Sequence, residues 1–158
     1  MADLLEGALP LNLVAIDVAR YSNAVLVELS DGKHQRFRMT NNASDFDRLL
    51  SYLQALPGNC RVALEPTGDY HRPLAHRLLT AGHEVVSINS VAQARYREAM
   101  FNSWDKNDPK DAQVILEMLG VAHIGVTWTR RSPAIMTCRN LQRPTTRFLA
   151  HAPRCSTR

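Results

Sequence analysis

Four carboxylates are the residues through which this sequence could do chemistry. Asp17 interrupts the apolar run Leu13-Val14-Ala15-Ile16-Asp17-Val18-Ala19, and a charge among apolar strand neighbours is costly unless a counter-ion or a metal satisfies it. Glu65 follows Val62-Ala63-Leu64 and stands directly before Pro66, which holds its backbone extended. Asp108 and Asp111 are three residues apart, so on a helix they share a face and can aim at one point. Each has a plainer alternative. Asp17 suits an arginine salt bridge or an exposed strand end, and Glu65 an ordinary strand-ending acid. Asp108 suits an N-cap, with Pro109 at the first helical position and Asp111 in the first turn. Distributed over a first strand, a later strand end and a last helix, the four together suit a different task. Phosphodiester cleavage by the two-metal route needs two hard cations roughly 3.5 to 4 Å apart, and Mg²⁺ takes carboxylate and water oxygens at about 2.0 to 2.1 Å. Without a cation such a cluster would repel itself and raise its own pKa values. No histidine pair, Ser-His-Asp spacing or glycine-rich phosphate loop competes with it.

Strands and helices must carry these acids to one place. Leu11 to Ala19 is an apolar, β-rich run, and Asn23 to Leu29 and Lys33 to Thr40 follow with Asp31-Gly32 between them, a turn dipeptide that signals a hairpin. Ser44 precedes the helical stripe Phe46, Leu49, Leu50, Leu53, and with Asp47 as an approximate capping box it predicts a helix over Ser44 to Ala55. Pro57-Gly58-Asn59 ends that helix, Cys60 to Leu64 forms a short buried strand, and Pro66 with Gly68 closes it. A helix over Arg72 to Thr80 stops at Gly82, and a strand follows over Glu84 to Ile88. Ser90 with Gln93 forms another capping box, for a helix reaching Met100, and a last helix runs from Asp108 to Leu119 before Gly120. Three antiparallel strands and then alternating strands and helices predict an α/β fold, a mixed five-stranded sheet flanked by helices on both faces. Ligands of open α/β sheets gather at the carboxyl ends of strands, where Glu65 stands.

The bulk properties agree with one such domain. A chain of 158 residues suffices for a single core. Hydrophobic residues at 45% and charged residues at 22% exclude a disordered or collagen-like chain. No run approaches the roughly 18 apolar residues of a membrane span, and Met-Ala-Asp-Leu-Leu-Glu lacks the basic start of a secretory signal, so a cytoplasmic protein without a membrane partner is expected. Cys60, Cys138 and Cys155 lack CxxC spacing and are odd in number, so neither a disulfide framework nor a zinc site is indicated. The net charge of +4 is unevenly placed: residues 129 to 158 hold seven arginines and no lysine, aspartate or glutamate, leaving 12 basic against 15 acidic residues before them. Residues 11 to 119 read as the domain. Residues 120 to 158, without apolar periodicity, are expected to be a divergent, disordered basic tail, either an arm for phosphate backbones or, the preferred reading, a product of a shifted reading frame.

Three blocks now stand out: Ala15-Ile16-Asp17-Val18-Ala19, Leu64-Glu65-Pro66-Thr67-Gly68-Asp69-Tyr70, and Asn102-Ser103-Trp104-Asp105-Lys106-Asn107-Asp108-Pro109-Lys110-Asp111-Ala112. In order and spacing they resemble the amino-terminal DEDD domain of the IS110 group of bacterial insertion-sequence transposases, over about residues 11 to 119. The resemblance implies a RuvC-like, RNase H-type fold with Asp17, Glu65, Asp108 and Asp111 as catalytic acids and as ligands of Mg²⁺ or Mn²⁺. It also implies cutting and rejoining of DNA at element ends and target, guidance by a structured RNA, and a homo-oligomer in the full-length family. That family uses a carboxyl-terminal domain with a nucleophilic serine. Ser132 and Ser156 lie in no matching context, so a truncated transposase is expected. Near the acids, Arg95, Tyr96, Arg97, Lys106 and Lys110, with Gln93, are candidate nucleic-acid contacts, against a plain solvated helix face with one packed tyrosine. His71, Arg72 and His76 are expected on the surface. Two further classes are compatible with the chain. One is an inert remnant that at most binds nucleic acid or dimerises. The other is a sugar-kinase-type phosphotransferase, which would need a glycine-rich turn that Asp17 to Asn23 lacks.

Overall fold

The computed structural model describes residues 9–101, 108–121, 125–129 and 132. Its elements run β1 (Leu11–Asp17), β2 (Ser22–Glu28), β3 (His34–Thr40), α1 (Ala43–Ala55), β4 (Asn59–Glu65), α2 (Arg72–Thr80), β5 (Glu84–Ile88), α3 (Ser90–Phe101), α4 (Asp108–Gly120) and β6 (Gly125–Trp128). The strands form one sheet in the order β3-β2-β1-β4-β5-β6. β1 to β3 are antiparallel, β4 and β5 continue in parallel from β1, and β6 returns antiparallel on β5. This is the mixed α/β sheet expected, with a sixth strand added. Four residues, Gly-Val-Thr-Trp, are too few to declare a strand by alternation; pairing with β5 makes them one. The sheet thus extends beyond the 11–119 range, and of the expected tail everything after Ser132 lies outside the described residues.

Alternation along each strand sorts side chains into two cores. On one face Val14, Ile16, Val62, Leu64 and Val85 meet Phe46, Leu49 and Leu53 of α1 and Leu74 and Leu78 of α2. On the other, Ala15, Leu26, Ala63, Val86 and Ile88 meet Val114, Ile115 and Met118 of α4. Ala15 and Ala63 are paired in register, and two methyl groups side by side let α4 lie close over the middle of the sheet. Cys60 is a buried free thiol; Cys138 and Cys155 lie outside the described residues. No helix among the described residues is long and apolar enough to cross a membrane.

The turns follow their residue types. Gly32 adopts φ +81° and closes the hairpin with Leu29 and Lys33 bonded across it. α2 ends in a Schellman motif: Gly82 takes φ +91°, its N–H donates to the Leu79 carbonyl, and the His83 N–H donates to that of Leu78. Two caps differ from expectation. Asn42, not Ser44, caps α1 by accepting from the Asp45 N–H at 2.9 Å. Asn89, not Ser90, accepts from Val91 and Ala92 at the start of α3, because Gln93 is turned into the protein and is not free to close a capping box. Gly58 has the tightest backbone demand, with φ +87° and a Cβ position 1.9 Å from the Pro10 carbonyl oxygen. Gly58→Ala is expected to cost about 2 to 3 kcal/mol from strain and clash combined, read as a fall in the urea midpoint at constant slope.

His71 corrects an expectation, for it is buried rather than exposed. Its ring lies over Trp128 of β6, centroids 5.1 Å apart, a neighbour that cannot be foreseen without the sixth strand. Arg72 and His76, by contrast, are half-exposed. Burial pushes the pKa of His71 below the ordinary histidine value of 6.5, a backbone contact at Gly68 offsetting only part of this, and burial does the same to His83. Both therefore stay neutral in the folded chain while the unfolded chain takes up protons below pH ~6.5. Their share of stability is complete above that pH and is lost as pH falls beneath it. Denaturation midpoints measured from pH 7.5 to 5.5 should decline, and His71→Phe should flatten the decline.

Candidate functional site

Parallel pairing of β1 with β4 sets Asp17 directly beside Glu65 at the carboxyl ends of both strands. By alternation from Ala15 and Ala63, both carboxylates project to the face that α4 covers. Glu65 is 7% exposed. The same row continues through Ala24 of β2 to Arg38 of β3, a cation in line with the two acids that the sequence does not announce, since β3 reads as a strand with little buried surface. One row in, Arg36 donates to Gln113 of α4 at 2.8 Å. The chain beyond Asp17 is held firmly. Asn23 Oδ1 accepts from the Ala19 N–H at 3.0 Å, and Asn41 Nδ2 donates to the Ala19 carbonyl at 3.1 Å.

α4 supplies the remaining acids. Asp108 opens the helix; its side chain, and the whole of Lys106, lie outside the described residues. Asp111 shares the helix stripe of Ile115 and Met118, one and two turns on, and is 0% exposed. Its Oδ1 lies 2.6 Å from Nη2 of Arg97 on α3, yet neither carboxylate oxygen has an aligned hydrogen bond. Arg97, its side chain 12% exposed, therefore faces a carboxylate in the interior instead of a solvent-borne backbone. Gln93, one turn earlier, donates to the Asp111 carbonyl at 3.4 Å. The spacing of Gln93 and Arg97 was the available signal, two polar residues four apart on a helix with little apolar stripe. Of the other candidate contacts, Arg95 is exposed and Tyr96 is half-buried against the α4 core. Lys110 lies 6.0 Å from the centre of the Phe101 ring.

Among the described residues no group of three or more His, Cys, Asp or Glu is close enough to share one metal ion. The donor chemistry nonetheless fits a hard cation: two carboxylates in register on one strand-end row, and a third, wholly buried, whose oxygens lack aligned donors. Carboxylate oxygens are the ligands Mg²⁺ and Mn²⁺ prefer.

A family model described as a transposase, of the DEDD type named for IS110, matches residues 14–156. This chain belongs to that transposase family. The match runs well past Leu119, where the three motif blocks stop carrying the resemblance. No curated protein matches the sequence. Among solved structures, the chain is similar to RuvC of Thermus thermophilus at 11% identity and TM-score 0.45, covering 74% of this chain and 99% of that one. It is also similar to T. thermophilus RuvC in complex with a Holliday junction substrate, at 11% identity and TM-score 0.43, covering 75% of this chain and 99% of that one.

Proposed function

We propose that this chain is the nuclease-type domain of a transposase and that it cleaves DNA phosphodiesters with Mg²⁺ or Mn²⁺ held by Asp17, Glu65, Asp108 and Asp111. The observation that supports this reading is the in-register pair Asp17 and Glu65 on the face covered by α4. Rigid neighbouring strands hold the two carboxylates at a fixed separation, and α4, which packs on the same face, carries the buried Asp111 in its first turn. A divalent cation bound there supplies Lewis-acid stabilisation of the charge that develops on the phosphate oxygens. The carboxylates orient it, the apolar core beneath them limits access of water, and Arg38 in the same row contributes positive charge toward a phosphate backbone. DNA of element ends and target, a structured RNA and further copies of the chain are the partners that the family resemblance adds.

A second reading, a binding or dimerising module without catalysis, draws on the ion pair between Arg97 and Asp111, which neutralises one acid without any metal. Calorimetric titration with Mg²⁺ and Mn²⁺ separates the two. Asp17→Asn should weaken binding at least roughly tenfold, since even supporting partners of a metal site contribute 10- to 100-fold. Equal affinity in wild type and Asp17→Asn would defeat the metal site and favour the second reading.

A further inference from the structure

The two turns that follow the acid-bearing strands also wall a cavity on the opposite face of the sheet. Arg20 stands in the turn after β1, and Asp69 and Tyr70 in the turn after β4; with Asn41, Phe46 and His76 they line a space of about 480 Å³. That lies within the range of pockets that enclose a small organic ligand. Its floor is aromatic and cationic, with the Arg77 guanidinium 6.0 Å from the centre of the Phe46 ring. The charges within it are unequal in availability. Arg77 is paired with Asp47 and Asp69 with Arg72, whereas Arg20 makes no ion pair among the described residues, its guanidinium resting 4.9 Å from the centre of the exposed Tyr21 ring. Tyr70 is 39% exposed. Gly68, at φ +52°, makes the turn that presents it.

We propose that this cavity receives one unpaired nucleotide of a nucleic-acid strand, its base against Tyr70 and its phosphate on Arg20. An aromatic face gives base stacking without regard to sequence, and a cation beside it follows the backbone. A base in a duplex is stacked on both sides and cannot enter a pocket of this kind, so the site selects unpaired nucleotides. Its walls are the turns that directly follow the acid-bearing strands, so, resting on the function proposed above, the bound nucleotide lies at the same end of the sheet as the phosphodiester at Asp17 and Glu65 but across the sheet from it.

The test is fluorescence anisotropy of the full chain in EDTA, with a labelled deoxyribo-oligonucleotide, the ribo-oligonucleotide of the same sequence and the corresponding duplex. Tyr70→Ala should weaken single-strand binding about tenfold and leave duplex binding unchanged. Arg20→Ala should weaken it too and lower the salt slope by roughly 0.7, the loss of one phosphate contact. Tighter binding of the ribo strand assigns the nucleotide to RNA, tighter binding of the deoxyribo strand assigns it to DNA, and either supports the cavity. Unchanged single-strand affinity in both variants, or equal loss for single strand and duplex, would overturn it. Both side chains are exposed, so melting curves of the variants should match wild type. Because no metal is present, failure here leaves the calorimetric result at Asp17 untouched, and the converse also holds.

Discussion

Arg97→Met is expected to destabilise the chain by about 3 to 5 kcal/mol, the usual cost of leaving one member of a buried ion pair alone. Asp111 is fully buried, its oxygens have no aligned hydrogen bond, and Arg97 is the cation beside it at 2.6 Å. Removing that cation strands a carboxylate in an apolar layer formed by Val114, Ile115 and Met118. Two companions show whether the loss arises from the charge or from packing. Arg97→Met combined with Asp111→Leu should recover most of the stability, since a hydrophobic pair of similar volume often replaces a buried ion pair without loss. Millimolar Mg²⁺ should raise the urea midpoint of Arg97→Met, because a cation that binds the folded state stabilises it by mass action, and should raise that of the double variant, which lacks Asp111, by less. A cost below about 1 kcal/mol would mean that Asp111 is solvated, with a pair no stronger than a surface one.

The second large effect is expected at Trp128. Trp128→Ala should cost about 3 to 5 kcal/mol, as large-to-small changes at buried aromatic positions do. At 9% exposure the indole fills the core beside Leu74 and Leu78 and covers His71. Its loss would open a cavity, admit water to an imidazole that burial keeps neutral, and remove the main buried anchor of β6, whose Val126 faces outward. The pH dependence should change with it. With the ring gone, His71 protonates more readily in the folded chain, and the decline in stability below pH ~6.5 should shrink in Trp128→Ala as it does in His71→Phe. Equal stability of wild type and Trp128→Ala in urea would show that β6 is not part of the cooperative unit.

Much of the fold was legible because it depends on neighbours in sequence. Asp31-Gly32 marked its hairpin, the stripe Phe46, Leu49, Leu53 marked α1, and Gly82 marked the end of α2 with the residue a left-handed turn requires. Caps were less legible. Asn42 and Asn89 displaced Ser44 and Ser90 because several short polar side chains compete for the same N–H groups, and the choice falls to whichever the preceding strand delivers. Of the candidate site, Asp17 and Glu65 were readable as strand-end acids, but their adjacency was not, since it depends on β1 and β4 pairing in parallel and in register across more than forty residues of chain.

By itself, then, the sequence determined the types and approximate bounds of β1 to β5 and of the four helices, the three motif blocks, and the acidic residues available for chemistry, all properties of short-range spacing and backbone preference. Tertiary structure decided that Gly125–Trp128 is a strand, that His71 is buried, and that Arg97 turns inward to Asp111. The reason is physical: hydrogen bonding between strands, stacking of rings and pairing of buried charges each need a partner from elsewhere in the chain, and no local pattern specifies which one arrives.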